Sequence, residues 1–178
     1  VSIMKKIDDF SMIDNMKQKR IVADHIRTSV FLIGDGVVPS NTDQGYILRR
    51  LLRRAIHSAD RLQMKEGDLC HLASTVIDKY KQVYPLLGEK EQHIRSQISE
   101  EETRFRKTLN DGLREFKKLS TGKITGREAF LLFSSFGFPF EMTKELAIEN
   151  HKEIDENGFK EEMLKHQELS RVGAEKKF

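Results

Sequence analysis

The residues of this chain best suited to chemistry at an anion are four arginines, Arg49, Arg50, Arg53 and Arg54, preceded by the polar loop Ser40-Asn41-Thr42-Asp43. Four guanidiniums with no acidic residue between Gln44 and Ala59 are not neutralised within their own segment. They call for acidic neighbours from elsewhere, for water, or for phosphates, which the planar fork of arginine binds in two-pronged fashion. A solvated basic face, or pairing with the acid-rich stretches downstream, is the plain alternative. Asn41 offers an amide oxygen and two N–H donors, but its spacing before the arginine segment, taken alone, favours an ordinary helix cap. Arg27, upstream, completes the basic set, although Asp24 stands three residues before it at ion-pair spacing.

These residues need elements to hold them, and the apolar pattern names helices. Residues 13–33 read as the first substantial helix, with Val22, Ile26, Ser29, Val30 and Ile33 on one side. Gly34-Asp35-Gly36 ends it, because glycine admits the positive φ that turns a chain out of a helix. Val37-Val38-Pro39 then runs extended, and one of Ser40, Asn41, Thr42 or Asp43 caps a helix over Gln44 to about Asp60. With Leu48 as the zero direction, Leu51, Leu52, Ala55 and Ala59 fall within about 60° of it, while the four arginines fan across roughly 100° to 240°.

Further helices follow. Asp68 to Leu87 reads as one, with Leu72, Val76, Tyr80 and Val83 on a side, ended by Pro85 and Gly88. Residues 89–120 form a long amphipathic helix whose apolar positions Ile94, Ile98, Phe105, Leu109, Leu113 and Phe116 are separated by 4, 7, 4, 4 and 3, and whose many charges suit a solvated outer face. A glycine-marked linker, Ser120 to Gly126, precedes an aromatic-rich segment that Thr125 caps and that Gly137 and Pro139 end. Thr143 is expected to cap a short helix through Ile148, and Asp155 or Asn157 another through Ser170, whose last residues trail into Arg171 to Lys177. The expected fold is all-α, a multi-helix bundle with one long helix over residues 1–120 and a smaller helical subdomain over 121–178.

Composition bounds the function classes. The 178 residues are 38% hydrophobic and a third charged, and 31 Lys+Arg against 28 Asp+Glu leave a net charge of only +3, so bulk charge identifies no nucleic-acid partner. One cysteine, Cys70, excludes an internal disulfide, and the six histidines have no zinc-closing spacing. No apolar run approaches the roughly 20 residues that cross a bilayer, and a cytoplasmic setting without structural metal or membrane partner is expected. There is no phosphate-cradling glycine loop, no GxSxG, no HExxH and no paired-carboxylate cleft. The chain opens on Val1 and closes on a charged segment without a helix stop signal, which reads as a piece of a longer protein.

Three blocks carry a resemblance: RIVADHIRTSVFLIGDGVVPSNTDQGYILRRLLRRA (Arg20 to Ala55), ITGREAFLLFSSFGFPFEMTKELA (Ile124 to Ala147) and HQELSR (His166 to Arg171). In content and order they resemble alanyl-tRNA synthetase along essentially the whole chain. The resemblance implies the helical middle region of a ligase. In that family the aminoacylation domain, which binds ATP with Mg and alanine, precedes this region, and the zinc-containing editing domain follows it; both are then partners within the parent chain. It further implies a tRNA-binding piece, itself not catalytic and without cofactor of its own, that holds the acceptor stem of tRNA(Ala) and reads its G·U wobble pair. The guanine 2-amino group of such a pair is a donor in the shallow minor groove of A-form RNA.

By that resemblance, Asn41 and Ser134 are the base-reading positions; the basic face read from the spacing then makes Arg49, Arg50, Arg53 and Arg54, with Arg27 beside its Asp24 alternative, the residues expected to grip the RNA backbone. Ser134 departs from the family pattern, which commonly has Asp there. A hydroxyl still accepts a hydrogen bond, more weakly than a carboxylate, so discrimination leans on Asn41, or is supplemented by Ser135 or Glu141, or the pair is read differently in this protein. The competing class is a helical protein-interaction or scaffold module whose basic face meets an acidic partner.

Overall fold

The structure, a computed structural model, describes residues 2–119 and 122–175, with side chains as far as Leu169. Ser120 and Thr121, which open the expected linker, lie outside the described residues, as do the side chains from Ser170 on and residues 176–178; the expected tail from Arg171 is helical backbone as far as Glu175. The fold is all-α, with one two-stranded parallel sheet among the described residues. The chain divides into two compact units, residues 1–107 and 108–178.

In the first unit, α1 (Ile3–Phe10) precedes α2 (Met16–Gly34), α3 (Asp43–Arg61), α4 (Asp68–Tyr80) and α5 (Pro85–Glu89), and α6 (Glu91–Lys118) begins. The α2–α3 pair is its centre. Val22, Ile26, Val30 and Ile33 on α2 and Leu48, Leu52, Ala55 and Ala59 on α3 are all fully buried, the two apolar stripes the spacing predicts. Ser29, within the first stripe, is fully buried too. The exit of α2 closes on the expected glycines: Gly36 takes φ +96°, Gly36 N–H donates to Ile33 O and Val37 N–H to Leu32 O, the paired bonds of a Schellman ending.

Several expectations are corrected here. The span expected as one helix from Asp68 to Leu87 is two, α4 and α5, because Pro85 starts a helix rather than stopping one: it sits at the first turn, where its missing N–H costs nothing. Val83 falls in the break between them and is 74% exposed, not on a packed side. α3 begins after Thr42, but no side chain caps it; Ser40 bonds to Thr42 within the loop, its hydroxyl donating to Thr42 O (2.9 Å) and accepting from Thr42 N–H (3.3 Å). α1 was not expected; Ser2 caps it and Ile7 anchors it in the core.

In the second unit, the last part of α6 is followed by β1 (Lys123–Ile124), α7 (Gly126–Phe136), α8 (Phe140–Glu149), β2 (Glu153–Ile154) and α9 (Glu156–Glu175). The strands pair in parallel, Lys123 with Glu153 and Ile124 with Ile154. Thr125 caps α7 in a reciprocal box with Glu128, and Gly137 ends it at φ 70°. α8 starts at Pro139, whereas Thr143, expected as its cap, lies fully buried one turn inside. Asp155 caps α9 by accepting from Gly158 N–H (3.1 Å); Asn157 is already in the helix. The starts of α7 and α9 meet at backbone distance: a Cβ on Gly126 would lie 2.0 Å from the Gly158 carbonyl carbon.

Candidate nucleic-acid interface

The loop before α3 is shaped from below. Ser40 N–H donates to Gly45 O (3.1 Å), folding the loop onto the first turn of α3, and only glycine fits at position 45. A Cβ there would meet Ser40 Oγ at 2.1 Å and Val38 O at 2.4 Å. The fold-back leaves Asn41 exposed at the loop tip, one α3 turn or two from the arginines.

Arg49 reaches back to this loop. Its Nη1 donates to Asn41 Oδ1 and its Nη2 to Pro39 O (3.2 Å), so one guanidinium clasps both ends of Pro39-Ser40-Asn41. On its other side Arg49 Nε lies 3.6 Å from Glu101 Oε1, and Arg53 Nε donates to that same oxygen at 2.6 Å. The Arg53 guanidinium also lies over the Phe105 ring, 5.2 Å from its centroid. Glu101 is 1% exposed, and its Oε2 is buried without a hydrogen-bond partner. Burial lowers the pKa of Arg49, opposed by Glu101 and reinforced by Arg53 and Arg104.

Arg54 and Arg27 belong to a second string. Arg54 Nη1 lies 3.5 Å from His25 Nε2, His25 Nδ1 lies 3.1 Å from Asp24 Oδ2, and Asp24 Oδ1 lies 3.7 Å from Arg27 Nη2. His25 is 8% exposed, whereas the Arg27 side chain is half exposed. Arg50 is half-buried on α3. In the second unit, Ser134 and Ser135 are exposed near the end of α7, and Glu141 is half-buried in the first turn of α8.

The structure thus joins Asn41, Arg49 and Arg53 through Glu101, and Arg54 to Arg27 through His25 and Asp24. Glu101 was missed by reading its helix's charges as a solvated face. The signal was there: at 100° per residue Glu101 and Glu102 fall about 60° and 40° to either side of Ile98, on the face that buries Ile98 and Phe105. His25 likewise sits about 60° from Val22, at the edge of the α2 stripe. Glu102, also 1% exposed, accepts from Gly67 N–H (3.3 Å) and pairs with Arg106 (2.9 Å); burial, above all, raises its pKa.

Among the described residues, no group of three His, Cys, Asp or Glu side chains could hold a metal ion, and no helix is long and apolar enough to cross a membrane. The family model for tRNA synthetases class II (A) matches residues 1–178. The chain belongs to that family. Its relatives bear out the resemblance drawn from the three sequence blocks. It is 45% identical over 165 residues to an alanine–tRNA ligase of Borrelia hermsii, covering 89% of this chain and 28% of that protein. It is 42% identical over 159 residues to that of Clostridioides difficile, covering 85% and 18%. With that of Francisella philomiragia it shares 37% identity over 176 residues, 96% of this chain and 20% of the relative. The chain therefore spans little more than a quarter, at most, of these relatives.

Proposed function

We propose that this chain is the tRNA-recognition part of an alanine–tRNA ligase, holding the acceptor stem of tRNA(Ala) and reading its G·U wobble pair. The observation that carries the reading is Asn41: an exposed amide at the tip of a loop clasped to an arginine-rich helix, in a chain of this family. One lone pair of Asn41 Oδ1 is engaged by Arg49, and the second is available to the guanine 2-amino group. Ser134, exposed on α7, is the second base-reading position and accepts with a neutral hydroxyl. Arg27, Arg50 and Arg54 supply sequence-blind grip on phosphates. Arg49 and Arg53 add to it less, because both lie against the carboxylate of Glu101.

Aminoacylation with ATP is then the work of the parent ligase, in the cytoplasm, with its catalytic and editing domains as intramolecular partners. The residues of this chain do not carry that step: alanine-dependent ATP–pyrophosphate exchange by the 178-residue chain alone is expected to be absent. The zinc that the resemblance assigns to an editing domain finds no ligand set among the described residues. Arg49 and Arg53 meet Glu101 within the first unit, which is the pairing with a downstream acid that the sequence offers as the plain alternative for these two.

The test is a gel-shift titration of alanine-tRNA acceptor minihelices with G·U or G·C at the recognition pair, across salt concentrations. Affinity should fall with salt, because each neutralised phosphate releases counterions, and the G·U form should bind more tightly. Equal affinity for the two RNAs refutes the base-reading role of Asn41.

A further inference from the structure

We propose that Arg49 is a positioning residue for base reading: it fixes the orientation of the Asn41 amide, and buried Glu101 fixes Arg49 in turn. This inference rests on the proposed reading of Asn41 as the base contact.

An asparagine amide has two ends that differ chemically but little in shape, and a free side chain presents either. Arginine has donors only. An arginine bonded to Asn41 therefore accepts one amide orientation, the one that turns Oδ1 and not Nδ2 to the guanidinium, and the Nη1 contact to Oδ1 is of that kind; the second lone pair of the oxygen so placed is the one offered to the guanine 2-amino group. The same guanidinium holds Pro39 O at 3.2 Å, so the backbone that carries Asn41 is tied to the same point as its side chain. On the side of its stem Arg49 is ion-paired, its Nε 3.6 Å from Glu101 Oε1 and without a hydrogen bond of its own. Glu101 is 1% exposed and is further fixed by Arg53 Nε at 2.6 Å. The string Asn41–Arg49–Glu101–Arg53 thus runs from an exposed loop tip into the packed interface of α3 with α6. Lysine at position 49 would keep the charge but lose the fork: one ammonium cannot span Asn41, Pro39 and Glu101 in this geometry.

The role of Arg49 is then distinct from phosphate grip. A gripping arginine affects all RNAs alike and sets the salt dependence, whereas a positioning arginine affects the preference between RNAs.

The experiment compares the 178-residue chain with Arg49→Lys, Asn41→Ala and the double variant, on G·U and G·C acceptor minihelices, with a thermal melt of each protein as a folding control. Arg49→Lys should reduce the G·U over G·C preference about 2- to 10-fold, the scale set by freeing one ordered side chain. The slope of affinity against salt should stay as it is. The double variant should lose no more preference than Asn41→Ala alone. If Arg49→Lys keeps the preference that Asn41→Ala loses, the positioning role is overturned while the base-reading role of Asn41 stands. If Asn41→Ala keeps the preference, both fall.

A second readout needs no RNA. The Asn41 Nδ2 amide signals in a ¹⁵N-correlated NMR spectrum, assigned by their loss in Asn41→Ala, should move in Arg49→Lys and hold in Arg50→Lys. Unmoved signals in Arg49→Lys refute the clasp itself.

Discussion

Glu101→Ala separates a buried charge from a neighbour of the same type. Glu101 is 1% exposed and receives Arg53 Nε at 2.6 Å with Arg49 Nε at 3.6 Å. Removing one partner of a fully buried ion pair costs about 3–5 kcal/mol, because the other charge is left unpaired. Here the two guanidiniums keep 19% and 18% side-chain exposure, so water can reach them in part, and Arg49 keeps its bonds to Asn41 and Pro39. The remaining loss is near that of one charge-assisted hydrogen bond, about 1.5–3 kcal/mol, and we expect about 2–3 kcal/mol. For a unit of 107 residues that corresponds to a fall in Tm of about 10 °C. The control is Glu100→Ala, one residue away. Glu100 pairs with Arg104 at 3.0 Å on the exposed face, and such an i, i+4 pair is worth about 0.3–0.5 kcal/mol. Urea and thermal unfolding followed by circular dichroism would measure both. Comparable losses for the two variants would refute the claim that burial, rather than charge, makes Glu101 matter.

Three further outcomes are expected. Gly45→Ala places a Cβ 2.4 Å from the Val38 carbonyl and 2.1 Å from Ser40 Oγ, so the loop must shift. Unfolding should register about 1–3 kcal/mol of destabilisation, and minihelix titration a loss of G·U preference; an unchanged preference would show that loop position does not matter. Glu102 has its pKa raised by burial, against the pull of Arg106 and Gly67 N–H and with Glu66 adding to the rise. A carboxyl raised in the folded state contributes stability that is present below its unfolded pKa and lost as pH rises through the folded one. Wild type should therefore lose urea resistance relative to Glu102→Gln as pH rises above the ordinary glutamate range; a relative gain would contradict the burial argument. Cys70 is 8% exposed, with its thiol pKa pushed up chiefly by burial. Its reaction with DTNB should be slow in native protein and fast in urea, and fast native labelling would mean that the packing around α4 opens readily.

The helices of this chain were legible wherever the pattern was periodic and the boundaries were chemical. The α2 and α3 stripes, the glycine exit after Ile33 and the Thr125–Glu128 box each rest on interactions within a few residues of sequence. Failures came where a local rule has two outcomes. Pro85 both forbids a helix interior and favours a helix start, and only the packing of Leu87, 3% exposed, decides which. Cap-competent residues crowd the α3 start, but the loop's hydrogen bonds go to Gly45 and Thr42, so none acts as a side-chain cap. The candidate site was half legible. The arginines and Asn41 stand out by type, but their shared acid lies on α6, 48 residues beyond Arg53, at a separation that no local pattern encodes.

That distant acid changes what the arginine helix is for. An uncompensated row of four guanidiniums would bind any phosphate backbone, and each added phosphate contact would strengthen wrong RNAs as much as right ones. What matters for a reader among many RNAs is the ratio of specific to non-specific affinity, not the total. Glu101 sets a carboxylate against the Arg49–Arg53 pair and, through Arg49, holds the loop that carries Asn41. On the proposed function, one buried carboxylate thus acts on both sides of the ratio. Glu101→Gln should accordingly strengthen binding to G·C minihelices, steepen the salt dependence by about one phosphate contact, and weaken discrimination. A variant that gains grip and keeps its G·U preference would separate the two effects and leave the carboxylate a purely structural part of the α3–α6 packing.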